Sequence, residues 1–546
     1  MSQPSHVYRR TLIVGAVLAA AALAAFVVIS LRHDEGNGRV LPGGFTYTEG
    51  VAGTWLRISP FFASTNEVDD DLSHLIFSGL TRLGPDGQVL PDLAESWEID
   101  DRGLAYTFKL RKDLRWHDGE PLTSRDVSFT IQTLLDPAFP GDPALAEAWL
   151  GMEIETPDDA TVVVRLPEPY APFLARNATQ GILPEHLLGE LSVAELMDAP
   201  FNSAPVGSGP YRLQSLESRQ AVLSANTSYH LGAPNISTLR VRFFADYPSA
   251  LRSMEAGELD GLLIRDSVTE SQLADFQKIK DVTILRPERD VQIILYLNND
   301  HAAYFQDERV RRAISLTLDR QEIVNKIFAG IGRPSSSPVA PDTWAYADRY
   351  DAIEARRDEA RQLLEEAGWR PLAGSGVLAR QGAEFRFTIR TDNDPQRVAL
   401  AGEIAHQLET VGIRATVAST TFAVLRRDFL QERKYDAAIA GWDQGPDPDP
   451  YYGWHSSQMG TAALNLANFQ DIVADSLIAR GRTNHDPVVR ADAYRQFQEV
   501  WQDLTPSVIL LYPEYVYIQS DSIDGVHTGV LFTASQRFAD IHTWRR

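Results

Sequence analysis

One continuous stretch, Pro91–Thr130, constrains the fold more than any other part of the chain. Trp97 and Ile99, then Ala105, Thr107, Phe108 and Leu110, fall in two runs that suit a pleated surface. Asp100-Asp101-Arg102-Gly103 between them has turn chemistry, so the two runs read as a hairpin. His117-Asp118-Gly119-Glu120-Pro121 is a second, tighter turn. Thr123 with Asp126 three residues later has the pattern of a capping box. Val127, Ile131, Leu134 and Leu135 then share one helical face. Strand, turn, strand, loop and helix follow in close order, and nothing in the stretch has the form of a catalytic motif.

The chain has 546 residues, too many for one core, so several domains are expected. Its formal charge of −23 argues against nucleic acid or an anionic membrane surface as partner. There is no cysteine, which removes disulfides, thiolate metal sites, cysteine nucleophiles and a lipidated cysteine anchor.

Residues 1–10 are polar and end in Arg9-Arg10; Thr11–Leu31 is a run without a charge, long enough to cross a bilayer. The flanking charges put the N-terminus in the cytoplasm and the bulk of the chain outside. A transmembrane signal anchor over residues 11–31 is the preferred reading, because the apolar run continues past Ala22-Leu23-Ala24, where a signal peptidase would cut. Cleavage there would release the protein instead. Arg9-Arg10-Thr11-Leu12-Ile13 reads as positive-inside charge, with a twin-arginine export signal as the alternative. Residues 32–44 are a short linker.

Further on, the pattern predicts a helix over Asp69–Leu80, with Asp69-Asp70-Asp71 at its N-terminal end, and strands over Thr161–Leu166, Thr238–Phe244 and Val291–Leu297. Asp307 and Asp319 are positioned to cap helices. Phe385–Arg390, a helix over 396–411 and Ile413–Val417 make a strand–helix–strand unit, joined by Tyr435–Ala440 in a mixed α/β domain. Helices follow over Asp471–Ala479 and Asp486–Leu504. Val508–Leu511 and Tyr515–Ile518 are expected as strands that return to the first domain.

The opening stretch resembles the signature of the family 5 extracellular solute-binding proteins, the binding components of peptide and nickel ABC importers. Ala94-Glu95-Ser96-Trp97, Tyr106-Thr107-Phe108, Leu110-Arg111, Trp116-His117-Asp118-Gly119, Pro121-Leu122-Thr123 and Asp126-Val127 all match it. Val206-Gly207-Ser208-Gly209-Pro210-Tyr211, Asp307-Glu308-Arg309-Val310-Arg311-Arg312-Ala313 and Pro338-Val339-Ala340-Pro341 with Trp344 resemble further family segments. The resemblance implies an α/β, two-lobed periplasmic-binding-protein-like fold of type II, with three discontinuous domains after the N-terminal transmembrane helix. Domain I is expected at 45–67, 201–287 and 505–546, domain II at 68–200, and domain III at 288–504. It also implies an extracytoplasmic, monomeric component of an ABC importer that takes a short peptide or similar small solute. Delivery would be to a permease with a separate ATPase.

The site is expected in Gly441-Trp442-Asp443-Gln444-Gly445-Pro446-Asp447-Pro448-Asp449-Pro450, a loop dense in proline, glycine and carboxylate. In peptide-binding relatives an aspartate of this loop grips the terminal ammonium, a charge-assisted bond. By resemblance Asp443 takes that role, Asp447 is the fallback, and Trp442 supplies an apolar wall; a solvated acidic turn is the competing reading. Arg390 matches an arginine that holds the ligand carboxylate in dipeptide binders, a bidentate geometry; a surface arginine is the bland alternative. With Asp443 it would suit a zwitterion. Asn66, Glu67 and Trp344 are candidates from position.

No metal or cofactor is expected; His117-Asp118 reads as a structural turn. The chain lacks G-x-S-x-G, H-E-x-x-H and S-x-x-K, so an enzyme is not expected. The alternatives are a non-peptide solute (a nickel chelate, an opine or an oligosaccharide) and a tethered receptor or chaperone without transport.

Overall fold

The computed structural model describes residues 44–347, 354–461, 463–526 and 529–546. The apolar run over 11–31 lies outside them. Among the described residues no helix is long and apolar enough to cross a membrane.

The opening hairpin forms as its residues dictate. Ala94–Ile99 and Ala105–Leu110 pair antiparallel, with Trp97 opposite Phe108 and Ile99 opposite Tyr106. The Asp100 carboxylate accepts from the Leu104 and Ala105 amides, at 2.6 and 2.9 Å, and closes the turn. Thr123 and Asp126 make the expected capping box on the helix Ser124–Leu135. His117 explains why this stretch accompanies the second glycine-rich segment. Its ring Nδ1 accepts from the Gly207 amide at 3.3 Å, and its Nε2 lies 3.0 Å from the Gly209 carbonyl, to which it donates. Burial holds the imidazole's pKa down to about 4, so the ring is neutral, as these two bonds require.

Two sheets carry the structure. The first runs Val282–Leu285, Val516–Ser520, Gly261–Ile264, Phe45–Ala52, Ile236–Phe244, Gln220–Ala225, Tyr211–Leu216. Segment 68–200 adds a smaller four-stranded sheet whose residues Tyr106, Phe108, Val162 and Val164 join Tyr47, Leu239 and Val241 in one core. The second large sheet runs Gly332–Pro334, Val508–Pro513, Val291–Leu297, Ala437–Asp443, Arg386–Asp392, Arg414–Thr420. It is buried on both faces. Ile293, Leu295 and Ile439 pack into one cluster, and Ile294, Tyr296 and Ala438 into another. That double burial is why Val291–Leu297 reads as an almost unbroken apolar run.

Val508–Leu511 does not return to the first sheet as expected. It pairs with Val291–Leu297 and Gly332–Pro334 in the second sheet. Its side chains are buried on both faces, which that central slot satisfies. After this strand the chain crosses back to the first sheet at Glu514-Tyr515. Beside it the other crossing segment, 286–290, pairs through Arg289 N–H to the Pro513 carbonyl and Tyr515 N–H to the Pro287 carbonyl, both 2.9 Å. Leu531 flanks both through bonds with Glu288 and Asp290. Two adjacent strands at one edge are the geometry of a hinge.

The helix expected from Asp69 begins two residues earlier, at Glu67, and ends at Ile76. Its carboxylates do more than face the helix dipole. Asp69 accepts from the Leu56 and Arg57 amides, and Asp71 is bound by Arg265 at 2.6 Å and by Arg537 at 2.7 Å. Arg537 also binds Glu49 at 2.9 Å. This fully buried network ties the C-terminal segment to the first strand and to this helix.

Candidate ligand-binding site

Strand Ala437–Asp443 and its antiparallel partner Val291–Leu297 end together beside the hinge, with Asp443 opposite Val291, Trp442 opposite Gln292 and Gly441 opposite Ile293. Strand alternation sends Trp442 and Gln292 to one face, and Gly441, Asp443, Val291 and Ile293 to the other. On the first face the side-chain amides of Gln292 and Gln444 both donate to the Pro338 carbonyl, at 2.9 and 2.8 Å. Their two amide oxygens and the Trp442 indole N–H are buried without a protein partner. Buried polar atoms ordinarily find one, so these groups are set to meet water or a solute.

Asp443 remains open to solvent, and its carboxylate accepts from the Gly445 amide at 2.9 Å. Gly445 has φ +72°, a left-handed turn that glycine adopts without strain. Asp290 is buried and faces Asp443 closely enough to share a hydrogen bond. Burial, then the Asp443 charge, pushes the Asp290 carboxyl well above its ordinary range. Burial also raises Asp443, against the Gly445 amide, Asp290, Arg176 and Arg289, all of which lower it. Both carboxyls are thus pushed up from their ordinary range, the buried Asp290 the further.

The loop after Asp443 is clamped from several sides. Asp447 is ion-paired to Arg490 at 2.7 Å, and Asp449 is ion-paired to Arg482; both carboxylates are buried. Arg176, from segment 68–200, donates to the Gln444 and Asp447 carbonyls. The Ala171 amide donates to the Arg482 carbonyl at 2.8 Å, and the Arg482 guanidinium lies over Tyr170 at 4.7 Å. The second lobe is thus shut against segment 68–200.

Several expected site residues have other work. Asp447 is ion-paired to Arg490, whose charge burial opposes and Asp447 more than restores, so it has no free charge for a ligand. Trp344 lies over that same Arg490, 4.9 Å from the guanidinium, and beside Tyr494. Arg390 pairs opposite Ala438, five residues before Asp443, which puts the two side chains on opposite faces of the sheet. Its guanidinium sits 3.7 Å over the Phe429 ring. The zwitterion clamp of Asp443 with Arg390 is therefore not formed. Asn66 caps the helix Glu67–Ile76, accepting from Val68 and Asp69, and donates to the Thr54 carbonyl. Glu67 is held by Arg265 at 2.8 Å. Of the expected residues Asp443 is left exposed, with Trp442 half-buried on the opposite face of the strand. Reading by sequence missed Asp290, Gln292, Gln444 and Arg176; the one local signal was a glutamine inside an otherwise apolar strand.

Two α/β units on separate sheets, joined by two adjacent crossing segments, are the frame of a solute-binding protein. Comparison with known proteins agrees. The family model of bacterial extracellular solute-binding proteins, family 5 Middle, matches residues 88–462, and the chain belongs to that family. It is similar to Protein XP55 of Streptomyces lividans, 31% identical over 526 residues, covering 94% of this chain and 92% of that protein. It is 29% identical over 473 residues to the oligopeptide-binding protein AppA of Bacillus subtilis, 85% of each. The structure of that AppA with a nonapeptide aligns with TM-score 0.65 and 26% identity, over 92% of this chain and 98% of that one. NikZ from Campylobacter jejuni, solved with Ni(L-His), aligns with TM-score 0.68 and 25% identity, over 92% and 99%.

Proposed function

We propose that this protein is the extracytoplasmic substrate-binding component of an ABC importer, capturing a short peptide between its lobes for delivery to a permease with a separate ATPase. The observation that carries this is the acceptor-rich end of the two central strands. Asp443, exposed and beside the buried Asp290, stands at that end, with the free amide oxygens of Gln292 and Gln444 on the opposite face. An ammonium group there gains a charge-assisted bond to Asp443. AppA, described as oligopeptide-binding, supports a peptide as the solute. NikZ supports the second reading, a non-peptide solute, because it was solved with a nickel–histidine complex. In this assignment residues 45–67, 201–287 and 514–546 form the first lobe, 68–200 its extension, and 288–513 the second lobe. Residues 11–31 tether a monomer to the cytoplasmic membrane, or leave it released if cleaved.

Native mass spectrometry of gently purified protein, with the released solute identified, tests the assignment. A ladder of peptide masses that Asp443→Ala abolishes is the expected result. A single non-peptide mass would transfer the reading to that solute.

A further inference from the structure

Two of the signature segments, Leu110-Arg111 with the residues after it and Val206-Gly207-Ser208-Gly209-Pro210-Tyr211, have no part in the site described above. They meet instead at a second cavity, of about 320 Å³, lined by Arg111, Lys112, Arg115, Ser208, Ser228 and His230. Its whole wall comes from segment 68–200 and from segment 201–287, which supplies strands of the first large sheet. No residue of the second sheet contributes, so the cavity is separate from the Asp443 end.

Three cations stand on this wall without a counter-charge. Arg111 donates through Nε to the Asp92 carbonyl at 2.7 Å, which fixes the guanidinium and leaves both Nη groups over. Arg115 donates through Nη1 to the Gly119 carbonyl at 2.8 Å, and Lys112 is exposed. Among the described residues none of the three has a carboxylate within ion-pair distance. They stand out in a chain whose acidic side chains outnumber its basic ones by 74 to 51. Glu95 and Asp113 also line the cavity; both are exposed, and neither reaches a cation. The buried acid beside them, Asp92, is committed to His230, whose Nε2 donates to it at 2.5 Å.

Ser208 supplies the second, independent observation. It is 2% exposed, it lines the cavity, and its hydroxyl has no hydrogen-bond partner. The chain around it is pinned. A Cβ at Gly207 or Gly209 would collide with the Ile76 backbone, and the Gly209 amide donates to the Ile76 carbonyl at 2.8 Å. Ser208 therefore cannot turn toward another protein group. Buried polar atoms ordinarily find a partner, and leaving one without is costly. Spare guanidinium edges, an ammonium and a hydroxyl on one wall are donors in want of an acceptor. A tetrahedral oxyanion suits that set: arginine meets it through two parallel N–H bonds, lysine as a point charge.

We propose that this cavity is an anion site distinct from the solute cleft, taking a phosphate group, free or carried by a small phosphorylated molecule, on Arg111, Lys112, Arg115 and Ser208. An occupied site ties segment 68–200 to the first large sheet without touching the hinge.

The test is calorimetric titration of inorganic phosphate into the full chain in detergent, at constant ionic strength. Wild type should take up one phosphate per chain with Kd of about 1 mM or tighter. Arg111→Gln should weaken this about tenfold or more, and Lys112→Gln and Ser208→Ala about threefold or more. Ser208→Ala removes a hydroxyl that has no protein partner to lose, so in phosphate-free buffer it should melt no lower than wild type, which separates lost binding from lost folding. Native mass spectrometry should find the same co-purified solute on Arg111→Gln as on wild type. Titration of glycerol phosphate identifies the source: tighter binding than inorganic phosphate assigns a phosphorylated molecule, weaker binding the free ion. No saturable uptake of either probe by wild type up to about 10 mM, or uptake that all three variants retain, would overturn the proposal. Loss of the solute from folded Arg111→Gln would overturn the separation of this site from the cleft.

Discussion

Asp447 provides a sharp division between a carboxylate that grips ligand and one that holds the loop. Its side chain is 4% exposed and that of its partner Arg490 is 10% exposed, at 2.7 Å. Asp447→Asn removes one charge and leaves the other buried beside Trp344 and Tyr494. Breaking a buried pair in this way costs about 3–5 kcal/mol. Asparagine keeps an acceptor for Arg490, so the lower end, about 3 kcal/mol, is the expected loss. For a lobe of roughly 225 residues, at ~2.1 cal/mol/K per residue, that corresponds to a fall of ~6 °C in melting temperature. Ligand-free protein followed by differential scanning calorimetry reads this directly. The double variant Asp447→Leu with Arg490→Met, which replaces both charges by apolar groups, should recover most of the loss. Asp447→Asn melting within about 1 °C of wild type, with peptide binding abolished, would refute the structural role and return Asp447 to the ligand.

Three further outcomes are expected. Asp443→Asn should weaken peptide binding by about 10- to 100-fold in calorimetric titration, with little change in melting because Asp443 is solvent-open and replaceable in shape. Burial raises Glu288 to about 9 from an ordinary 4.5. Asp290 is raised too, so the folded protein holds protons that the unfolded chain releases. Stability should therefore fall as pH rises across 4.5 to 9, and Glu288→Gln should flatten that slope in melting curves. Gly445→Ala forces a left-handed backbone on a Cβ that would sit 3.1 Å from Arg176 Nη1. It should cost about 1 kcal/mol and loosen the Arg176 clamp, read as a larger radius of gyration in small-angle scattering of the ligand-free protein.

The elements whose causes are local were legible in the sequence. The Asp100 turn, the Thr123 capping box and the strand Val291–Leu297 each depend on residues within a few positions, and all three form as read. The loop after Trp442 was legible for the same reason, through its density of proline, glycine and carboxylate. The partners of its carboxylates were not. Arg490 stands 43 residues beyond Asp447, and Arg537 stands 466 beyond Asp71. No pattern along one chain reveals which distant cation neutralises which acid. Arg390 was misplaced because a parallel register decides the face of a strand residue, and that register is set by neighbouring strands. The same limit hid Asp290, which meets Asp443 only through the pairing of Val291 with Asp443. The strand Val508–Leu511 shows it at the level of domains: its apolar residues demanded a central slot and did not say in which sheet.

The most direct test of the central claim, that Asp443 receives a solute ammonium in the closing cleft, compares one peptide with its N-acetylated form. Whichever free peptide co-purifies is titrated calorimetrically, before and after acetylation, into wild type and Asp443→Asn. The account predicts that acetylation weakens binding to wild type by at least about tenfold and adds little to the loss already caused by Asp443→Asn. Equal affinity of wild type for the free and acetylated peptides would contradict it.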